Sequence, residues 1–322
     1  MGEPPVLVMT HVARRFGRVR AVEDASLAVL RGTTVGVLGE SGSGKSTLAR
    51  LAVGLVAPDA GEILFAGAPM YPRLGLVQQV RALLARPPKL RRVAMVFQDA
   101  AGSFDPRWSI GRSIAEPIVA FRLRTGKIGV RDRAIQIMAS VGLPEPLIDR
   151  RPHELSLGQV QRAAVARALA GEPDLLVCDE PTSALDLSVQ AQVLNALRET
   201  QERSGLSILF ISHDIGVVRH VSDLVAVMLR GRVVEFGLAD EVFAHPLHPY
   251  TRLLLASEPD LAALRPQTAP AVASVGPLPP VAPGLCAFLA RCKLATARCG
   301  TEPPPLVDVD GVAVACHAAS AA

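Results

Sequence analysis

Short apolar runs recur along the chain, most of them bounded by glycine, proline or an acid. Val6 to Thr10 and Ala21 to Val29 read as strands, the second with alternation in Ser26-Leu27-Ala28-Val29. Further runs lie just before Gly39, at Glu62 to Phe65, at Arg92 to Phe97 and at Ser207 to Ile211. Asp174 to Glu180, DLLVCDE, sets four apolar residues in a row, which predicts a strand buried on both faces, as a parallel sheet requires. Leu224 to Leu229 and Arg232 to Phe236 predict a closing hairpin with Arg230-Gly231 at its turn. From Ser103 to Gly171 the period changes: Val130 to Val141 and Gln159 to Ala170 carry apolar residues at helical spacing, and Gly171 with Pro173 stops the second. Another helix follows Asp186, runs to about Ser204 and is closed by Gly205. Strands alternating with helices predict an α/β fold around a parallel sheet.

Between the strand before Gly39 and the helix after it lies Gly39-Glu40-Ser41-Gly42-Ser43-Gly44-Lys45-Ser46, with Thr47 next, which fits G-x-x-x-x-G-K-[ST]. Such a loop turns successive N–H groups inward toward phosphates, and the helix starting near Lys45 adds the positive end of its dipole. Lys45 supplies charge to the β/γ oxygens and the Ser46 hydroxyl can ligate Mg²⁺. Asp179 and Glu180, at the end of a buried strand, are candidates to hold the metal and to polarise a water. Gln98 and His213 each follow a predicted strand, which puts them on the same rim if the strands are parallel; each is also an ordinary loop residue. Ser156 reads as a helix cap, yet with Gly158 and the dipole it also makes an anion site. Phe16, taken alone, reads as core.

Composition narrows the class. At 322 residues the chain holds one large domain and a smaller unit; 49% of it is hydrophobic and only 4% aromatic, so the core is built from Ala, Val and Leu. A net charge of +4 does not argue for nucleic acid. The basic run Arg73 to Arg92 reads as a solvated or membrane-facing insertion. The N-terminus lacks the pattern of a secretory signal, and nowhere are there about 18 consecutive apolar residues, the length a spanning helix needs. These features predict a cytosolic chain whose five cysteines are thiols or metal ligands.

Proline clusters between Pro259 and Pro283 mark a linker. The segment beyond it holds Cys286, Cys292, Cys299 and Cys316; Cys178, inside the buried strand, reads as a small core residue. A segment this small cannot build its own core, which suggests a metal staple. The gaps of five, six and sixteen residues are wider than structural zinc sites use, and an iron–sulfur cluster on four thiolates fits at least as well. His317 leaves a mixed site open, and unrelated thiols in a tail are the plain alternative.

With these pieces in order, the chain resembles the ATP-binding subunit of an ABC transporter, and closely the oligopeptide/dipeptide importer branch. Branch signs are Ser103-Phe104-Asp105-Pro106-Arg107, Arg151-Pro152-His153-Glu154 and His245-Pro246-Leu247-His248-Pro249-Tyr250-Thr251. The resemblance implies a P-loop NTPase of ABC type: a RecA-like parallel core sheet, an antiparallel β subdomain and an inserted helical signature subdomain, with a small Cys-rich C-terminal extension. It implies a nucleotide-binding domain over 1–255 with its helical part at about 103–171, a linker over 256–283 and the extension over 284–322. It makes Gly39 to Ser46 the Walker A loop, Gln98 the Q-loop glutamine, Leu155 to Gln159 the signature with Ser156, Gly158 and Gln159 as nucleotide contacts, and Leu175 to Asp179 the Walker B strand. Glu180 becomes the catalytic base, Ser183 to Asp186 the D-loop, His213 the switch histidine, and Phe16 the aromatic that stacks on adenine. Mg²⁺ falls to Ser46, Gln98 and Asp179, and a [4Fe–4S] cluster to the tail cysteines, as in some relatives. Partners are a second ABC ATPase subunit, alike or different, two transmembrane permease subunits and an extracytoplasmic substrate-binding protein, with no nucleic acid; the location is peripheral, on the cytoplasmic face of the cell membrane.

The sequence departs from the family at two places. Leu157 stands where the signature has its first glycine, which predicts strain if that backbone needs φ > 0. Asp105 stands where the family has Asn. Nickel importers share most of these motifs, so cargo is read only by association. A soluble ABC ATPase acting on nucleic acid or ribosomes is expected to bring a second cassette or a long coiled coil, and a plain P-loop kinase has no signature or D-loop.

Overall fold

The structure is a computed structural model and describes residues 4–71, 92–123, 125–126, 128–183, 185–257 and 285–319. The first part comprises β1 (Leu7–Phe16), β2 (Val19–Val29), β3 (Thr34–Leu38), α1 (Lys45–Ala52), β4 (Ala60–Phe65), β5 (Ala68–Pro69) and β6 (Val93–Val96). Three helices follow, α2 (Ile110–Ala120), α3 (Val130–Ser140) and α4 (Leu157–Leu169), then β7 (Leu175–Asp179), α5 (Leu187–Ser204), β8 (Ser207–Ile211) and α6 (Ile215–Val221). The chain continues with β9 (Leu224–Leu229), β10 (Arg232–Leu238), α7 (Ala239–Ala244) and α8 (Pro249–Ala256), and its tail carries β11 (Val307–Val309) and β12 (Val312–Val314). Most of the basic run and of the proline-rich linker, and Ala184 of the D-loop, lie outside the described residues.

The strands form one curled sheet in the order β5-β4-β1-β2-β10-β9-β3-β8-β7-β6. Its two halves differ in hand of pairing. β9, β3, β8, β7 and β6 are mutually parallel, whereas β1, β2, β4 and β5 are antiparallel. The parallel half is covered on both faces, and β3, β7 and β8 accordingly have no exposed position. On one face α1 packs with the antiparallel half through Leu48, Leu51, Met9, Ile63 and Phe65. On the other, a second cluster runs from Phe210 and Leu176 out through α4 to Ile110, Ile114 and Met138 of the helical arm. This arm is inserted between β6 and β7, so it is mounted on the strands whose ends carry Gln98 and Asp179.

Two expectations are revised. β1 runs to Phe16 and β2 starts at Val19, so Arg14, Arg15 and Phe16, expected between strands, are strand residues beside a tight turn. The tail does not stand as a separate stapled unit: β12 pairs with β10 at Glu235 and Phe236, and Cys286, Phe288, Cys299 and Val312 join the large core cluster. A segment too small for a core of its own uses the core of the domain before it.

Candidate active site

Parallel strands end on one rim, and that rim collects the chemistry. The phosphate loop follows β3, Gln98 follows β6, Asp179 and Glu180 end β7, and His213 follows β8. Gly44 has φ 104°, and a Cβ there would lie 2.2 Å from the Ala21 carbonyl oxygen, so a side chain would push the loop off the β1–β2 hairpin. At Gly42 a Cβ would meet nothing within 4 Å: the loop opens onto space there, and Ser41 beside it is exposed. The Ser43 carbonyl accepts from the Gly231 N–H at 2.8 Å, so the β9–β10 turn braces the loop from behind. Thr47 is half-buried in the first turn of α1.

Lys45 is buried and its ammonium donates to the carbonyls of Gly39 and Glu40 at 2.7 and 2.9 Å. Burial lowers its pKa, while the charges of Glu180, Asp179 and Glu40 act the other way. The Ser46 hydroxyl donates to Asp179 Oδ1 at 3.1 Å. Burial, with the neighbouring Glu180 charge, raises the Asp179 pKa against that hydrogen bond. Glu180 is held from both sides: Gln98 Nε2 donates to Oε2 at 3.3 Å, and His213 Nδ1 lies 3.3 Å from Oε1. Its φ of 51° is unusual for a residue with a side chain and is kept by the Glu180 N–H to Ile211 carbonyl bond of 2.9 Å. Two hard oxygen donors, Ser46 and Asp179, beside an open glycine loop form a donor set suited to Mg²⁺ and a polyphosphate.

The signature residues serve first as a cap. Ser156 Oγ accepts from the Gln159 N–H at 3.3 Å, and Gln159 Oε1 accepts from the Ser156 N–H at 2.9 Å, a reciprocal capping box on α4. These two residues bond to each other and not to the phosphate loop. Gly158 packs on Leu185, where a Cβ would come to 3.2 Å from its Cδ2. Leu157 is the first residue of α4, is absent from the positive-φ positions and is 57% exposed. The strain expected from replacing glycine there does not arise. Asp186 likewise caps α5, accepting from the Ser188 hydroxyl and from the N–H groups of Val189 and Ser188, and these bonds hold its carboxyl below the usual range. Phe16 is not core: it is 44% exposed, with the Arg14 guanidinium 4.9 Å from its ring centre. Asp105 accepts both the backbone and the guanidinium of Arg107, which pull its pKa down to about 2.

One residue touching the loop carried a motif but no role in the sequence. Tyr250, fully buried, accepts the Glu40 N–H on its hydroxyl at 3.0 Å. In the tail, Cys286, Cys299 and Cys316 are buried and Cys292 partly so. Burial raises the pKa of Cys286 and Cys292, and the neighbouring tail thiols add to it. Among the described residues no three of His, Cys, Asp and Glu are grouped to hold a metal ion. Also among the described residues, no helix is long and apolar enough to cross a membrane.

A parallel sheet with a P-loop, an acidic pair and flanking Gln and His on one rim, an antiparallel half and an inserted helical arm define an ATP-binding cassette. Residues 22–183 match the ABC transporter family, and residues 234–299 match the oligopeptide/dipeptide transporter C-terminal region. The chain is 44% identical to a probable peptide ABC transporter ATP-binding protein, y4tS, of Sinorhizobium fredii, over 93% of this chain and 82% of the relative. It is 42% identical to the oligopeptide transport ATP-binding protein OppF of Salmonella typhimurium, over 92% and 87%. A dimeric post-hydrolysis structure of the ATP-binding cassette MJ0796 bound to ADP and phosphate is similar with a TM-score of 0.62 at 25% identity, over 72% of this chain and 98% of that one. The chain belongs to the ABC transporter family of ATPases, and it couples ATP hydrolysis to transport.

Proposed function

We propose that this chain is the ATP-hydrolysing subunit of an importer of oligopeptides or dipeptides, seated peripherally on the cytoplasmic face of the membrane. The observation that carries the chemistry is Glu180, held at 3.3 Å from both Gln98 and His213 beside the Ser46–Asp179 pair. The loop N–H groups and Lys45 bind the β- and γ-phosphates, Phe16 offers its exposed ring to the adenine, and Ser46, Asp179 and Gln98 would hold Mg²⁺. The ion, when bound, supplies positive charge to the transferring phosphoryl group. Glu180 orients the attacking water and takes its proton, and His213 senses the γ-phosphate.

Half of the donors are missing from one chain. A second ATPase subunit brings its Ser156, Gly158 and Gln159 to the outer side of the nucleotide, and closure of the pair excludes water and completes the site. Gln98 and the helical arm pass that closure to two permease subunits, which receive cargo from a substrate-binding protein. The named peptide-transport relatives and the matching C-terminal region support peptide as cargo. For the tail thiols, no grouping among the described residues supports a cluster.

The test is steady-state ATPase activity of the chain assembled with its permease subunits and binding protein, with a panel of peptides and with Ni²⁺. Stimulation by peptides and not by Ni²⁺ is expected. Stimulation by Ni²⁺ alone would assign the same engine to another cargo.

A further inference from the structure

The phosphate loop has a support that none of its motifs accounts for. Glu40, the second residue of the loop, gives its N–H to the Tyr250 hydroxyl, a bond that spans 210 positions of sequence. Tyr250 lies in the first turn of α8 and has no exposed surface, so its hydroxyl is held toward the loop by its surroundings. Three contacts fix it. The Tyr250 N–H donates to Nδ1 of His248, which is itself buried. The segment before it is tied down by Glu235 of β10, whose carboxylate accepts the N–H groups of Leu247 and His248 at 2.7 and 2.9 Å and is fully buried. The third contact comes from the tail. The Phe288 ring sits 5.7 Å from that of Tyr250 and 6.1 Å from that of His248, tilted against both, while His248 and Tyr250 meet edge to face.

The tail holds this position through the sheet as well as through the ring. β12 pairs with β10 at Glu235 and Phe236, the same short stretch that clamps the His248 segment. Phe288 and Tyr250 belong to one continuous core cluster with Val234 and Val312. A line of packed groups therefore runs from the Cys-rich extension to a backbone amide of the nucleotide loop.

We propose that Tyr250 is a positioning residue of the phosphate loop, and that the C-terminal extension keeps it in place through Phe288. The inference rests on the reading of Gly39 to Ser46 as the phosphate-binding loop. Its physical basis is preorganisation. A loop whose N–H groups must converge on an anion loses affinity when any part of it is free to turn, because binding must then supply the ordering. The Glu40 peptide is where the loop departs from β3, and Tyr250 is the side chain that fixes its N–H.

Tyr250→Phe removes one oxygen and leaves the ring. In the full chain we expect the Kd for MgADP by calorimetry, and the KM for MgATP, to rise about three- to tenfold, the range of one net hydrogen bond. Phe288→Ala should shift affinity in the same direction, Phe288→Leu should restore most of it, and the Tyr250→Phe/Phe288→Ala pair should weaken binding by less than the product of the single effects. A purely structural role would lower the melting temperature and leave nucleotide affinity where it was. Affinity unchanged in Tyr250→Phe overturns the inference. A shift in Tyr250→Phe with none in Phe288→Ala overturns the share given to the tail. Lys45→Ala separates this from the reading beneath it: loss of MgADP binding there is expected, and full retention would overturn the phosphate-loop assignment and the inference with it.

Discussion

Leu157 and His248 show how far a single residue's environment can depart from what its identity suggests. Leu157 looks like damage to a glycine motif, yet it occupies the first turn of α4 with a side chain more than half exposed. Leu157→Gly should therefore lower stability by about 0.5–1 kcal/mol, the ordinary helix cost of glycine; a gain in melting temperature would show that the leucine is strained after all. His248 is buried, and burial lowers its pKa to about 4 from 6.5, so it is neutral in the fold and gains a proton more readily when unfolded. A group with a depressed folded pKa loses its contribution as pH falls, here from 6.5 to 4, by on the order of 3 kcal/mol in all. Glu235, raised by burial, acts in the opposite sense over acid pH. His248→Asn, which keeps an acceptor for the Tyr250 N–H but cannot titrate, should flatten the fall in melting temperature between pH 6.5 and 4; an unchanged slope would contradict this assignment. The residues of the rim were legible because their motifs are short and local. Tyr250 was not, because its partner lies 210 positions away and no local spacing encodes that contact.

At the scale of elements, local chemistry was readable and long-range pairing was not. Asp174 to Glu180 announced a doubly buried strand by its uninterrupted apolar run, and β7 lies inside the parallel half, between β8 and β6. The ends of β1 and β2 were missed because Arg14, Arg15 and Arg20 look like loop residues; the tip of the β1–β2 hairpin leaves them partly solvated, and Asp59 pairs with Arg14 at 2.8 Å. The tail hairpin was missed for the same reason as Tyr250: β12 has only three residues and is a strand because β10 is there to pair with it. α4 carries another unannounced contact. Its Arg167 donates to the Ser103 carbonyl and hydroxyl at 2.6 and 2.8 Å and stacks 4.3 Å from the Phe104 ring centre, bolting the arm to the segment after Gln98. Arg167→Gln breaks two partly buried, charge-assisted hydrogen bonds to Ser103 and should cost about 2 kcal/mol, seen as a melting temperature several degrees lower; an unaltered melting curve would show that this bolt carries no stability.

For the whole molecule, the sheet sets what can meet. Four parallel strands, β3, β6, β7 and β8, deliver Lys45, Ser46, Gln98, Asp179, Glu180 and His213 to one edge, while the arm inserted between β6 and β7 carries Ser156 and Gly158 as a cap and a packing contact. The signature residues Ser156 and Gln159 bond to each other and not to the phosphate loop, which is the physical reason for proposing a partner ATPase. The tail, docked on β10, packs on Tyr250, whose hydroxyl accepts the Glu40 N–H of the phosphate loop. The measurement that tests the chemistry of the rim most directly is turnover and MgATP binding by Glu180→Gln in the assembled transporter. Binding is expected to be retained within about twofold while hydrolysis falls by about 10²–10⁴, the scale of a lost general base. Hydrolysis at the unaltered rate would contradict it.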